Sequence, residues 1–382
     1  MLAQASLNRN YMKLKKFSFI NHKTGWHVKD INFGALSLLV GASGVGKTLI
    51  LKAISDLTKI ADGQSINGRE WNVEFEEAGV KYNWVGRFNV AKDIPEVFSS
   101  DKPEFSSSIK EETLVKDDSE VIFSRKGEHL IYHSTPTVKL DVTKSAVELL
   151  KAEDDVVPVY RAFKKVMWLD MEEGSELTFN RATYSVDDTK LSLKEIKNLK
   201  YLNPIERLFF IQKYHPSTFN QIVESFIEVF PLVEKIDFDI DRFHRDDYII
   251  VLKIKEQGVN NWISLPDISS GMCRTLSQIV TLSLSDDGDV IMIDEFENGL
   301  GINCIDLLAD MAKDTDDDVQ IIMTSHHPYI INTIPFQDWR IVSRNGSEVV
   351  VNTAADFKIG SHSKHDAFMQ LIQTNAYRTG QA

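Results

Sequence analysis

The segment Gly41-Ala42-Ser43-Gly44-Val45-Gly46-Lys47-Thr48 fits G-x-x-x-x-G-K-[ST] at every fixed position. The residue types answer a chemical need. Glycines let successive backbone N–H groups turn inward around phosphate oxygens, where a Cβ would block the approach. A helix opening near Lys47 would aim its positive dipole end at the same anion, with Leu49 continuing the loop into that helix. Lys47 can reach a β/γ-phosphate and the Thr48 hydroxyl can ligate Mg²⁺. A second set lies far along the chain. Val290-Ile291-Met292-Ile293 is followed by Asp294-Glu295, an apolar strand delivering two carboxylates where open α/β sheets bind ligands. Asp294 would hold Mg²⁺ through a water, and Glu295 would orient or deprotonate an attacking water. A third strand, Val319–Met323, ends in Thr324-Ser325-His326-His327-Pro328. His326 is the better candidate of the two histidines for the same site.

The elements that must position these groups are readable from hydrophobic spacing. Ala35–Val40 is a near-continuous apolar run, as expected of a strand buried on both faces. From Thr48 the period becomes helical, with Leu51, Ile54 and Leu57 on one face, ending near Asp62-Gly63. Ahead of the loop, Leu14, Phe17 and Phe19, then Val28 and Ile31, mark two short strands joined by a polar turn. From Trp71 to Leu140 the period is two: Val73 and Phe75; Val80, Tyr82 and Trp84; Val121–Phe123; Leu130–Tyr132, with Lys126-Gly127 as a turn. The Ser/Glu/Asp-rich stretch 99–119 reads as an exposed loop. Residues 205–230 read as helices punctuated by Pro204, Pro216 and Pro231, and Tyr248–Ile254 as a strand. Residues 364–377 read as a closing amphipathic helix.

The chain has 382 residues, 43% hydrophobic and 26% charged, the profile of a globular protein with a sizeable core. No apolar run reaches membrane-spanning length, and the polar start from Met1 to Met12 carries no secretory signal, so a cytoplasmic protein with no membrane partner is expected. Cys273 and Cys304 form no metal-binding pattern and read as small buried hydrophobes. The formal charge of −13 weighs against, without excluding, a nucleic-acid-binding surface. Arg161, Lys164 and Lys165 beside Tyr160, Phe163 and Trp168 fit either a solvated face or a patch touching DNA or a partner. Asp314–Asp318 reads as a solvated loop. Trp26 precedes the phosphate loop at a distance compatible with a contact to adenine or with packing on the sheet.

Together with Leu265-Pro-Asp-Ile-Ser269-Ser270-Gly271-Met-Cys-Arg274, these motifs resemble those of ABC-type ATPase heads of the SMC and RecF class, and in particular the AAA-like ATPases of OLD-type bacterial anti-phage systems. Ser269-Ser270-Gly271 looks like that group's signature motif, Glu297–Ile302 like its D-loop and His326 like its switch histidine. The resemblance implies an α/β P-loop ABC-ATPase head with a mixed sheet, an antiparallel β insertion and a helical lobe. Its divisions would be an ATP-binding lobe over 1–170, a mainly helical lobe over 171–262, the signature helix with the remaining core strands over 263–354, and a tail over 355–382. It also implies ATP and Mg²⁺ as ligands. Two heads would sandwich ATP, Ser270 and Gly271 of one facing the γ-phosphate held on Lys47 of the other, in a homodimer or higher oligomer. The expected role is a sensor ATPase acting on a separate effector, a nuclease, because no nuclease-like acidic cluster follows residue 354. A RecF-like repair ATPase binding DNA and a non-hydrolysing ATP-dependent scaffold are the alternatives.

Overall fold

The computed structural model describes residues 11–91, 107–169, 178–180, 190–200, 202–244, 247–298, 301, 304, 307–311, 318–360 and 363–382. The chain opens with β1 (Met12–Asn21), β2 (His27–Asn32) and β3 (Leu36–Val40). A meander follows: β4 (Arg69–Glu77), β5 (Val80–Phe88), β6 (Ile109–Lys116), β7 (Glu120–Lys126), β8 (His129–Tyr132) and β9 (Thr135–Pro136). Then come β10 (Val166–Leu169), β11 (Thr178–Asn180), β12 (Val233–His244), β13 (Asp247–Glu256) and β14 (Ile263–Ser264). The last are β15 (Val290–Ile293), β16 (Gln320–Thr324), β17 (Trp339–Asn345) and β18 (Glu348–Thr353).

The protein is an α/β fold with a large mixed sheet, and its chain divides into two compact units. The first contains residues 1–168, 287–296 and 316–382; the second contains residues 169–286 and 297–315. One fourteen-stranded sheet dominates the first, in the order β10-β15-β16-β3-β17-β18-β2-β1-β4-β5-β6-β7-β8-β9. β15, β16, β3 and β17 pair in parallel, with Ile293 beside Met323, Thr324 beside Leu39 and Ile341 beside Val40. From β2 through β1 and β4 to β9 every pairing is antiparallel. The parallel strands are buried on both faces, which is why Leu38, Leu39 and Val40 are all inaccessible to solvent. In β1 the step from Leu14 to Phe17 departs from period two because a register shift falls between Leu14 and Lys16, keeping both side chains in the core.

Part of the stretch read as a loop is a strand: Ile109–Lys116 pairs with β5 and β7. Its inward face is Ile109, Glu112 and Leu114, so a buried acid stands where the eye looks for a hydrophobe. Glu112 is inside because its Oε1 accepts from Trp84 Nε1 at 2.9 Å and Ser145 Oγ at 2.6 Å, and its Oε2 from Ala146 N at 2.7 Å. Residues 92–106 of that region lie outside the described residues, as do Met1–Asn10 and 312–317.

The second unit holds the helices Leu193–Asn198, Pro204–Tyr214, Pro216–Val229 and Ser270–Ser283, together with an antiparallel sheet of β11, β13, β12 and β14. β12 is an element absent from the sequence reading. Its pattern is alternation: Ile236, Phe238 and Ile240 interleave with Asp237, Asp239 and Asp241. The tail forms two short helices, Lys364–Gln373 and Asn375–Arg378, because Thr374 ends the first and its hydroxyl caps the second. No helix among the described residues is long and apolar enough to cross a membrane.

Candidate functional site

Parallel pairing brings three strand ends to one edge of the sheet. β3 runs into the loop 41–46 and then into the helix Lys47–Ala61, which buries Ile50, Leu51, Ile54, Leu57 and Ile60 against the core. The loop needs its glycines. A Cβ on Gly41 would sit 2.2 Å from the Val342 carbonyl oxygen of neighbouring β17. Gly46, the residue before the helix, has φ of 108°, a conformation that L side chains rarely adopt. Lys47 is buried and lies across the loop, its Nζ donating to Gly41 O and Ala42 O, both at 2.9 Å.

The same edge carries the ends of β15 and β16. A cavity of ≈ 340 Å³ opens there, lined among others by Ser43, Gly44, Gly46, Lys47, Thr48 and Leu49. Asp294, Glu295, Thr324 and His326 line it from the other strands, and Trp26 from the turn before β2. His326 faces this cavity, whereas His327 caps the helix Pro328–Thr333 by accepting from Tyr329 N at 3.3 Å. Ala42 and Val45 belong to the loop itself, Val45 being buried beneath it. The donor set fits a hard cation with nucleotide phosphates: a threonine and a carboxylate, beside a lysine and a glycine-rich loop.

Ser269, Ser270 and Gly271 belong to the second unit. There the Ser269 hydroxyl accepts from Met272 N at 3.2 Å and caps the helix Ser270–Ser283, with Ser269 and Ser270 both exposed. Arg274 Nη1 approaches the Asn298 carbonyl at 3.5 Å. Of the D-loop reading, Gly299, Leu300 and Ile302 lie outside the described residues. Cys304 is buried, and burial pushes the thiol of Cys273 up, away from the thiolate form. In the basic cluster, Lys164 pairs with Asp62 and Lys165 with Glu77 at 2.9 Å.

Two residues that sequence reasoning did not assign stand at the site. Thr324 donates its hydroxyl proton to Asp294 Oδ1 at 2.7 Å and accepts from Glu295 N at 2.7 Å. Glu295 has φ of 46°, in the left-handed region, which costs a residue with a side chain about 1–2 kcal/mol. The other is Arg344 on β17. Its guanidinium lies 5.0 Å from the Trp26 ring centroid and donates to Gly44 O at 3.1 Å, fastening the crest of the phosphate loop to the tryptophan. The backbone of Arg344 pairs in turn with Gly380 and Ala382 of the tail.

With this geometry in hand, comparison with known proteins is informative. The 168–332 region matches the family model described as "AAA domain, putative AbiEii toxin, Type IV TA system", a span of under half the chain. No curated protein matches the sequence. Among solved structures, an SMC head domain with an extended coiled coil, bound to the C-terminal domain of ScpA from Pyrococcus furiosus, is similar with a TM-score of 0.50 at 11% identity. That match covers 90% of this chain and 97% of the other. The fold is that of an SMC head. An SMC head bound to the C-winged helix domain of ScpA (TM-score 0.45, 13% identity, 89% and 97% covered) also matches, as does the SMC head domain from Thermotoga maritima (0.42, 12%, 89% and 98%). The SMC-head-like fold spans nearly the whole chain, while the AAA match takes in the second unit, Asp294-Glu295 and His326 but not the phosphate loop.

Proposed function

We propose that this chain binds ATP with Mg²⁺ on the loop Gly41–Thr48 and hydrolyses it. The observation that carries the reading is the convergence of Lys47, Thr48, Asp294, Glu295 and His326 on one cavity from three parallel strand ends. Backbone amides of the loop and the helix N-terminus bind the phosphates. Lys47 moves its ammonium from the loop carbonyls to the β/γ-phosphates. Thr48 and Asp294 would hold Mg²⁺, which would supply neutralisation of the phosphate charge. Glu295 orients the attacking water and takes its proton as the water oxygen bonds to the γ-phosphorus and the bond to the β–γ bridging oxygen breaks. ADP and inorganic phosphate leave. His326 supports the γ-phosphate by hydrogen bonding.

At the level of assembly, two heads close around ATP, each presenting Ser269, Ser270 and Gly271 to the nucleotide of the other. The capped and exposed start of the helix Ser270–Ser283 supports this, since its first amides are free of intrahelical partners. Closure then signals to a separate effector, a nuclease, in anti-phage defence; the family-model match, described as a putative toxin of a type IV TA system, supports a two-component arrangement. The SMC head of the same fold engages another polypeptide, ScpA, which supports a head that works through a partner protein. The test is the solution mass of Glu295→Gln with and without Mg·ATP. ATP-dependent assembly that Ser270→Arg abolishes is expected. A mass independent of ATP, with wild type still hydrolysing, would place the whole site within one chain and remove the signature's role.

A further inference from the structure

We propose that Thr324 is a positioning residue that couples the cation-holding carboxylate to the water-orienting glutamate through one hydroxyl group. The inference rests on the hydrolytic reading of the cavity and deepens it. Thr324 ends β16, has no solvent exposure, and holds three consecutive residues of the turn after β15. Its Oγ1 donates to Asp294 Oδ1 at 2.7 Å and accepts from the Glu295 amide at 2.7 Å. Its carbonyl accepts from the Phe296 amide at 2.9 Å, and Phe296 is itself fully buried. Between the two anchored amides the chain takes the left-handed turn at Glu295, φ 46°.

The logic of the hydroxyl is directional. It has one proton, and that proton faces a carboxylate, so only lone pairs face the Glu295 amide. Oδ1 of Asp294 is thereby oriented, so that the carboxylate would meet a hydrated cation in a fixed pose. A left-handed residue bearing a side chain persists only where its surroundings over-determine it. Here the same hydroxyl that orients Asp294 supplies that determination. The positions of the cation and of the Glu295 backbone are therefore not independently adjustable: displacing one carboxylate oxygen displaces the anchor of the other residue. Threonine at this place does what an outer-shell partner does for a metal ligand, fixing its orientation. None of these three hydrogen bonds of Thr324 is made to the phosphate loop, so nucleotide contact without the cation should survive their loss.

The test compares Thr324→Val, Thr324→Ser and wild type in the full chain. Three readings are taken: ATP affinity in EDTA, the Mg²⁺ concentration at half-maximal ATP binding and turnover, and kcat at saturating Mg²⁺. Thr324→Val should raise half-saturating Mg²⁺ and lower kcat, each by about 10–100-fold, the usual cost of losing an outer-shell partner. Its ATP affinity in EDTA should match wild type. Thr324→Ser, which keeps the hydroxyl, should restore both Mg²⁺ dependence and kcat. Should Thr324→Val fail to fold, Thr324→Ala against Thr324→Ser gives the same comparison. Unchanged Mg²⁺ dependence in the hydroxyl-free variant, or equal losses in the serine and hydroxyl-free variants, would overturn the inference. Wild-type protein that binds ATP without hydrolysing it would instead defeat the hydrolytic reading. The Mg²⁺ dependence of binding would then still decide the role of Thr324.

Discussion

Lys47, Gly41 and Arg344 each make a separable contribution to the loop 41–48. Under the proposed function, Lys47→Ala would take away charged hydrogen bonds to phosphate; each contributes about 1.5–3 kcal/mol, so ATP binding should weaken by about 10–100-fold. Nucleotide titration by fluorescence checks this. Gly41→Ala places a Cβ within 2.2 Å of the Val342 carbonyl oxygen, and the strand and loop must separate to relieve it. A stability loss of about 1–3 kcal/mol is expected, read by thermal melting, with ATP binding impaired in the folded fraction. Arg344→Ala removes the stack on Trp26 and the bond to Gly44 O. ATP affinity should fall by about 3–10-fold through a looser loop, seen by calorimetry, with the fold retained. The phosphate loop was legible because its requirement is local: glycines, a lysine and a threonine within eight positions. Arg344 was not, because its partner Gly44 lies 300 residues away in sequence and only the parallel pairing of β17 with β3 joins them. Thr324 was visible only as a strand end; nothing in its neighbours announces a bond to Asp294 thirty residues earlier.

The elements that position the site were readable where burial is complete or periodic. β15 is an unbroken apolar run, β3 is one interrupted by Ser37, and the helix Lys47–Ala61 shows its core stripe in sequence. The turn between β7 and β8 was signalled by Lys126-Gly127, where Gly127 takes φ of 55°. β6 was hidden because its inward face includes Glu112, an acid made tolerable only by donors from Trp84, Ser145 and Ala146 that no local pattern reveals. Glu112→Gln would turn an NH₂ group towards one of those donors and should cost about 1–3 kcal/mol in a chemical or thermal melt. Burial, partly offset by those donors, pushes the Glu112 carboxyl above its ordinary value of 4.5. The folded chain therefore binds this proton more tightly than the unfolded chain does. The contribution of Glu112 to stability grows as pH falls from the raised value towards 4.5 and is smallest above that window. A melt series across that range should show this component in wild type and lose it in Glu112→Gln.

For the whole molecule, a formal charge of −13 sets the long-range field, and Lys164 and Lys165 are paired with Asp62 and Glu77 rather than presented as a cationic stripe. Duplex DNA should not be retained by the ATP-bound protein at physiological salt in a mobility-shift assay; salt-sensitive retention would favour the recombination-type alternative. The SMC-head-like fold and the AAA-type match agree with a nucleotide-binding head, while the proposed hydrolysis depends on the carboxylates at the end of β15. The most direct test of that claim is ATP turnover by wild type and Glu295→Gln under identical nucleotide occupancy. Wild type should hydrolyse Mg·ATP, and Glu295→Gln should bind it equally well yet turn it over about 10²–10⁴-fold more slowly, the range for a removed general base. Equal turnover in the two proteins would contradict the assignment of Glu295, and absence of turnover in wild type with ATP bound would contradict hydrolysis at this site.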